Sequence, residues 1–225
     1  MKHDINIDIS RLDPTVIKLI NKILSDATKN KIKVKLLDSP YISESGKKIA
    51  GWFCPEEKIL SVACRRSLDI WVNVLAHESA HMDQWAENCI AWNTVETPYD
   101  KNLQLDAWLE HEIELNTEQL KKIVIAVQWM ELDAEKRAIR KMRQSKVPID
   151  ILATIQRANS YIYFYTLMAA KRKWYKANQA PYEREEIFKL MPNKFLSLKE
   201  YATVPPHYII AYEKYVFEIL PNKIS

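Results

Sequence analysis

Glycine is nearly missing from this chain of 225 residues: Gly46 and Gly51 are the two it has, where average usage of about 7% would give roughly 16. The shortage excludes several chemistries at once. A Gly-x-Gly-x-x-Gly dinucleotide turn, a phosphate loop ending in Gly-Lys-Ser/Thr and a Gly-x-Ser-x-Gly nucleophile elbow all need glycines that are not there. Cysteine is scarce too. Cys54, Cys64 and Cys89 make an odd number without a Cys-x-x-Cys pair, which argues against a disulfide framework and a thiolate zinc cage and fits a reducing cytoplasm. Long apolar runs are also lacking. The longest, Tyr161 to Ala170, falls far short of the ~18 residues of a membrane span, and the opening MKHDINIDIS has acids where a signal peptide needs an apolar core. A soluble protein is expected.

What is present is helix-forming and charged. Hydrophobic residues make up 48% of the chain, enough for a real core, and the net charge is +4. That charge is unevenly spread: residues 1–120 carry 14 basic and 19 acidic side chains, residues 121–225 carry 19 and 10, so the parts stand at −5 and +9. Asymmetry of this kind points the basic half towards an acidic partner.

Hydrophobic spacing orders the elements. Asp13-Pro14 opens an amphipathic helix to Lys29 with Val16, Ile17, Ile20, Ile23 and Leu24 on one face. Alternation from Lys31 to Leu37, and the segments Lys48–Cys54 and Ile59–Ala63 around Pro55-Glu56-Glu57-Lys58, predict strands, the last two as a hairpin. Helices follow at Leu68–Asn88, Leu103–Asn116, Thr117 to about Gln144, and Pro148 to about Lys176. Pro181, Pro192, Pro205 and Pro206 then break the end into short pieces that read as a lid or a wrap. The expected fold is α+β and predominantly helical: a small sheet, a site helix, then a bundle of long helices. We read it as one domain, with residues 1–64 forming the first helix and sheet, 65–146 the site helices and 147–225 a helical end.

Within the Leu68–Asn88 helix, VNVLAHESAHMDQW contains His77-Glu78-Ser79-Ala80-His81. Imidazoles four residues apart lie one turn above each other and can reach one Zn²⁺, with the Glu78 carboxylate beside them. A shuffled chain of this composition would carry His-Glu-x-x-His about once in a hundred cases, so the pattern is informative as the zinc-peptidase arrangement. The plainer alternative is an amphipathic helix with two core-edge histidines.

A catalytic zinc takes three protein ligands and leaves one position for water. A metzincin would need Gly at 84 and His at 87, where this chain has Gln84 and Glu87. His111-Glu112 begins a similar pattern, but Leu115 stands in place of its second histidine. The strongest third donor is Glu131: in QWMELDAEKRA it interrupts the stripe Leu120, Ile123, Val124, Val127, Ala134, Ala138, where a buried carboxylate is costly unless paired or metal-bound. Glu135, one turn on, could orient a ligand. The alternative for Glu131 is an ion pair with a Lys or Arg of a neighbouring helix.

These residues carry a resemblance. A His-Glu-x-x-His helix followed by Glu-x-x-Ala on a second helix resembles the gluzincin zinc peptidases, and Glu131-x-x-Ala134-Glu135-x-x-Ala138 looks like the ImmA/IrrE type, over about residues 59–138. Arg137 stands where that type usually has an aromatic residue. ILSVACRRSLDIWVNVLAHESAHMDQW, with RANSYIYFY and KRKWYKANQAPYEREEIFKLMP, is also similar to metallopeptidases carried by tailed bacteriophages, to about residue 196; a phage protein would act in the host cytoplasm. The resemblance implies Zn²⁺ on His77, His81 and Glu131, Glu78 as general base and acid, and a protein or peptide substrate lying antiparallel to the strand around Ile59–Val62. Tyr161, Tyr163, Tyr165 and His207 are candidates for the oxyanion donor, with ordinary packing the competing role of the tyrosines.

A different class of function rests on the basic half. Lys136, Arg137, Arg140, Lys141, Arg143 and Lys146 form one cluster; Lys171, Arg172, Lys173 and Lys176 with Trp174 and Tyr175 form another. Residues 136–146 and 171–176 could hold nucleic acid or an acidic protein, making the chain a binding or scaffold protein on a zincin fold. Trp71, Trp85, Trp92, Trp108 and Trp129 read as core. No membrane contact is expected.

Overall fold

The structure is a computed structural model that describes residues 2–44, 47–96, 100–176 and 179–217. The fold is α+β and predominantly helical, as expected. Two compact units divide it, Met1–Trp92 with Ala134–Ile151 and Asn93–Asp133 with Leu152–Ser225. The chain passes between them at residues 92/93, 133/134 and 151/152.

The first unit opens with β1 (Asp4–Ile5) and α1 (Pro14–Lys29), followed by β2 (Lys33–Leu37). Asp13 caps α1 by accepting from the Thr15 amide at 2.8 Å, and Pro14 occupies the first turn, where its missing N–H costs nothing. Val16, Leu19, Ile20, Ile23 and Ala27 bury the apolar face. Two short strands, β3 (Ile42–Glu44) and β4 (Lys47–Ile49), pair with each other. β5 (Gly51–Cys54) and β6 (Ile59–Ala63) form the expected hairpin, with Cys54 opposite Ile59. The segment that read as one strand from Lys48 to Cys54 therefore breaks at Ala50 and serves two sheets.

The larger sheet runs β1-β2-β6-β5, with β1, β2 and β6 parallel and β5 antiparallel at the edge. This corrects one expectation. Ile59–Val62 lies in an interior strand hydrogen-bonded to β2 and to β5, so its main chain has no edge to offer a peptide. The edge next to it is β5.

α2 (Leu68–Ala86) packs on β5 and β6. A short link sets its start: the Cys64 amide bonds Leu37 O and the Arg65 amide bonds Ser39 O, while Arg65 reaches Asp38 at 3.0 Å and Arg66 donates to Pro40 O at 2.9 Å. Trp71, Val72, Leu75, Ala76, Ala80 and Met82 are buried. α3 (Ile90–Glu96) is an additional short helix, and the expected helix Leu103–Asn116 is α4 (Lys101–Leu109), which ends earlier. Asp100 caps α4 by accepting from the Asn102 and Leu103 amides, and beyond its end His111 takes a left-handed φ of 62°, so His111 and Glu112 sit in a turn, not on a helix.

α5 (Thr117–Ser145) matches its expected span and α6 covers Ile151–Lys171. On α5 the side chains of Ile123, Val124, Val127, Ala134 and Ala138 are buried and Leu120 is half-buried. The proline-broken end forms a single 3₁₀ turn (Pro181–Glu183), α7 (Glu185–Phe188), α8 (Leu198–Tyr201) and α9 (Pro206–Tyr212). It is a wrap held by α6. Gln156 donates to Met191 O at 2.8 Å, Arg157 to Tyr182 O at 2.6 Å, and Asn159 to Pro192 O and Lys194 O at 2.6 and 2.9 Å. Among the described residues no helix is long and apolar enough to cross a membrane.

Candidate metal centre

The i, i+4 spacing on α2 puts the rings of His77 and His81 edge to face, with centroids 4.6 Å apart and the two Nε2 atoms separated by 3.0 Å. Each ring is turned by its other nitrogen. His77 Nδ1 lies 3.0 Å from Glu135 Oε1, and His81 Nδ1 lies 2.9 Å from Gln84 Oε1. With the proton on each Nδ1, both Nε2 atoms present lone pairs to one point; with one Nε2 protonated, the 3.0 Å contact is a hydrogen bond between the rings. Two lone pairs aimed at one point repel unless a cation lies between them. For nitrogens at ~2.0–2.1 Å from a tetrahedral zinc the separation would be roughly 3.3 Å, close to what the rings already show.

Glu131 sits one turn before Glu135 on the same unbroken helix, and both carboxylates are buried, at 6% and 5% exposure. His77, His81 and Glu131 each offer a ligand atom, all within 4.8 Å of one another. Two imidazoles and a carboxylate are a donor set that zinc accepts, and it leaves a fourth position. Among the described residues these three form the one group of His, Cys, Asp and Glu side chains arranged to hold a metal ion. Imidazole and carboxylate donors also suit other first-row ions.

Ion pairs hold the C-terminal part of α5 along α2. Lys141 Nζ is 2.8 Å from Asp83 Oδ2 and donates to Ser79 O and Ser79 Oγ, each at 3.0 Å. Burial pushes the Lys141 ammonium below the usual lysine range, and Asp83 pulls it partly back. Arg137 adds a contact to Glu87 at 2.7 Å. Ser79 and Asp83 flank the second histidine, so these bonds fix the register in which Glu135 meets His77.

Glu78 is half-buried on the same helix, beside the edge strand. A Cβ added at Gly51 would stand 2.3 Å from Val74 Cγ1, 3.0 Å from Glu78 Cγ and 3.3 Å from Glu78 Oε1. Gly51 is therefore needed for close approach: only a residue without a side chain lets β5 pass this near the carboxylate. Phe53, the next residue on that face, packs against Trp85 and Trp92, and Trp92 also faces His81 at 6.1 Å.

The oxyanion candidates differ in their surroundings. Tyr165 donates to Glu131 Oε1 at 3.4 Å, and its hydroxyl is 3.0 Å from that of Tyr161. Tyr163 packs against Tyr201 and Tyr208, and His207 is exposed with its ring on Tyr208. Three residues of the centre escaped the sequence reading. Gln84 was weighed only as the place of a missing glycine, although its i+3 spacing from His81 announced the contact. Gly51 and Lys141 act through partners distant in sequence, for which no local signal exists.

The basic clusters are partly consumed within the fold. Arg137 and Lys141 serve α2, Lys171 pairs with Glu213 at 2.6 Å, and Arg172 reaches Glu114 at 2.8 Å and Trp108 O at 2.8 Å. Lys136, Arg140, Arg143, Lys146, Lys173 and Lys176 are exposed. Trp174 and Tyr175 both pack on Phe164, at 5.1 Å. Of the five tryptophans read as core, Trp71, Trp92 and Trp108 are buried; Trp85 and Trp129 are half-buried. In comparisons with known proteins the chain matches no family model, no curated protein and no solved structure.

Proposed function

We propose that this protein is a zinc-dependent metallopeptidase, resembling gluzincins of the ImmA/IrrE type. The observation that carries the reading is the pair of Nε2 atoms 3.0 Å apart with an oxygen behind each ring, and a buried carboxylate, Glu131, within reach. His77, His81 and Glu131 would hold the ion. Zinc in such a site supplies a coordinated water of near-neutral pKa and polarises a substrate carbonyl.

The chain's own residues do the rest. Glu135 and Gln84 fix the orientation of the two imidazoles, so the ligands need little reorganisation. Glu78, beside them and partly open to solvent, takes the proton of the attacking water and returns it to the departing amine, which balances the hydrolysis of one peptide bond. An extended substrate pairs with the main chain of the edge strand β5, where Gly51 brings that chain alongside Glu78. Three unbridged thiols, Cys54, Cys64 and Cys89, fit action in a reducing cytoplasm.

Metal content of the purified protein tests the site. One zinc per chain is expected, lost in His77→Ala and kept in Glu78→Gln, with hydrolysis of unfolded casein abolished in both. Wild-type protein without metal, or His77→Ala with full metal, would sink the reading. A Glu78→Gln variant that retains full biological activity would instead favour a binding protein on the same fold.

A further inference from the structure

Two hydroxyls beside Glu131, midway along α5, lie on one face of α6, four residues apart, and form a chain. Tyr165 lies 3.4 Å from Glu131 Oε1 and Tyr161 lies 3.0 Å from Tyr165. Their order can be deduced. A carboxylate only accepts, so the Tyr165 proton points to Glu131; the Tyr165 oxygen is then left to accept, and Tyr161 is the donor of the outer bond. Tyr165 is 5% exposed, so water does not readily replace its hydroxyl.

We infer that Tyr165, backed by Tyr161, is a positioning residue for Glu131. Its hydrogen bond engages one carboxylate oxygen and leaves the other for a metal ion, so that Glu131 binds through one oxygen only. A carboxylate that swings to bind through both oxygens fills the fourth position of the ion, the one a catalytic site must keep open. Tyr161 strengthens the arrangement by donating to the Tyr165 oxygen, which makes Tyr165 the better donor. The two tyrosines thereby serve the ligand shell rather than the oxyanion. The inference rests on Glu131 being a ligand, as proposed above.

The test uses the full-length protein, stripped of metal and titrated with Zn²⁺ and separately with Co²⁺. Tyr165→Phe keeps the ring and removes the hydroxyl. It is expected to weaken zinc binding roughly 10- to 100-fold, to lower the visible absorption of the cobalt form as coordination rises above four, and to leave the thermal midpoint of the metal-free protein within a few degrees of wild type. Tyr161→Phe is expected to move both readouts the same way but less. A purely structural role would show the reverse, with a lowered midpoint and unchanged metal affinity and spectrum. Unchanged affinity and spectrum in Tyr165→Phe, with Glu131→Gln still weakening zinc, would overturn this inference alone. A wild-type protein that binds no zinc, or a Glu131→Gln variant with wild-type affinity, would overturn the metal-site reading and this inference with it.

Discussion

The two compact units bury their polar groups by different means. In the first, opposite charges are set against each other: Lys141 with Asp83, Arg137 with Glu87, His77 with Glu135. In the second, mostly neutral groups, with Arg157 beside them, satisfy main-chain carbonyls. Asn159, fully buried, holds Pro192 O and Lys194 O and accepts from the Tyr201 hydroxyl; Tyr212 donates to Ser160 O; Gln128 donates to Ile162 O at 2.9 Å. Chain composition accounts for the difference. Buried carboxylates draw in counter-charges. A wrap broken by prolines has carbonyls outside any regular helix, and amide and phenol donors satisfy those without importing charge.

That contrast can be broken from either side. Asn159→Leu should be the most damaging change, since it leaves two carbonyls and a phenol unsatisfied at a fully buried position. A loss of about 3–5 kcal/mol is expected, read in urea unfolding, with hydrogen exchange rising first over residues 152–217. Full protection there would deny that Asn159 fastens the wrap. Lys141→Met tests the charged unit. Removing a buried ammonium strands Asp83, which is partly exposed, and should cost about 2–4 kcal/mol, accelerating exchange in α2 rather than α6. Equal effects on both helices would mean that the two networks are not separate.

Gly51→Ala comes next, at about 1–3 kcal/mol, because the new methyl overlaps Val74 and crowds Glu78. Casein hydrolysis should fall more than stability does, while zinc content stays at one per chain; unchanged hydrolysis would separate the edge strand from the base. A pH effect draws on both units. Burial raises the Cys64 thiol from 9.0 to about 12, so the folded chain keeps a proton that the unfolded chain loses. Cys64 contributes its full stability below pH 9 and loses it as pH rises through 12. Cys64→Ala should flatten part of the alkaline fall in thermal midpoint, the remainder coming from buried phenols such as Tyr163, also raised to about 12. The smallest effect is expected at the exposed pair Lys189–Glu185, where double substitution by Ala should change stability by at most about 0.5 kcal/mol.

Local chemistry made some of this legible in advance. Asp13-Pro14 announced the start of α1 because a cap and a first-turn proline need no distant partner. His77, Glu78 and His81 were visible because their geometry follows from a helix alone. Glu131 and Glu135 stood out as acids in an apolar stripe, and both are buried. Other features were not visible. β1 is two residues long and β3 three, too short for any alternation to register. The parallel pairing of β2 with β6 joins residues 26 positions apart, Lys33 with Ile59, and it moved the edge of the sheet from β6 to β5. The Leu103–Asn116 segment retained an apolar pattern beyond the point where its backbone turned.

Glycine shows the same limit. Both glycines fall around the strand pair in the sequence; Gly46 lies outside the described residues, and Gly51 is required by the nearness of α2 to β5. The sequence by itself determined the helical periods, the caps and the ligand spacing on α2, because these depend on residues within a turn or two of each other. Only the tertiary structure decided which strand is the edge, which charge faces which histidine, and that Tyr165 turns to Glu131. Those depend on contacts between residues tens of positions apart, for which the pattern along the chain carries no distance.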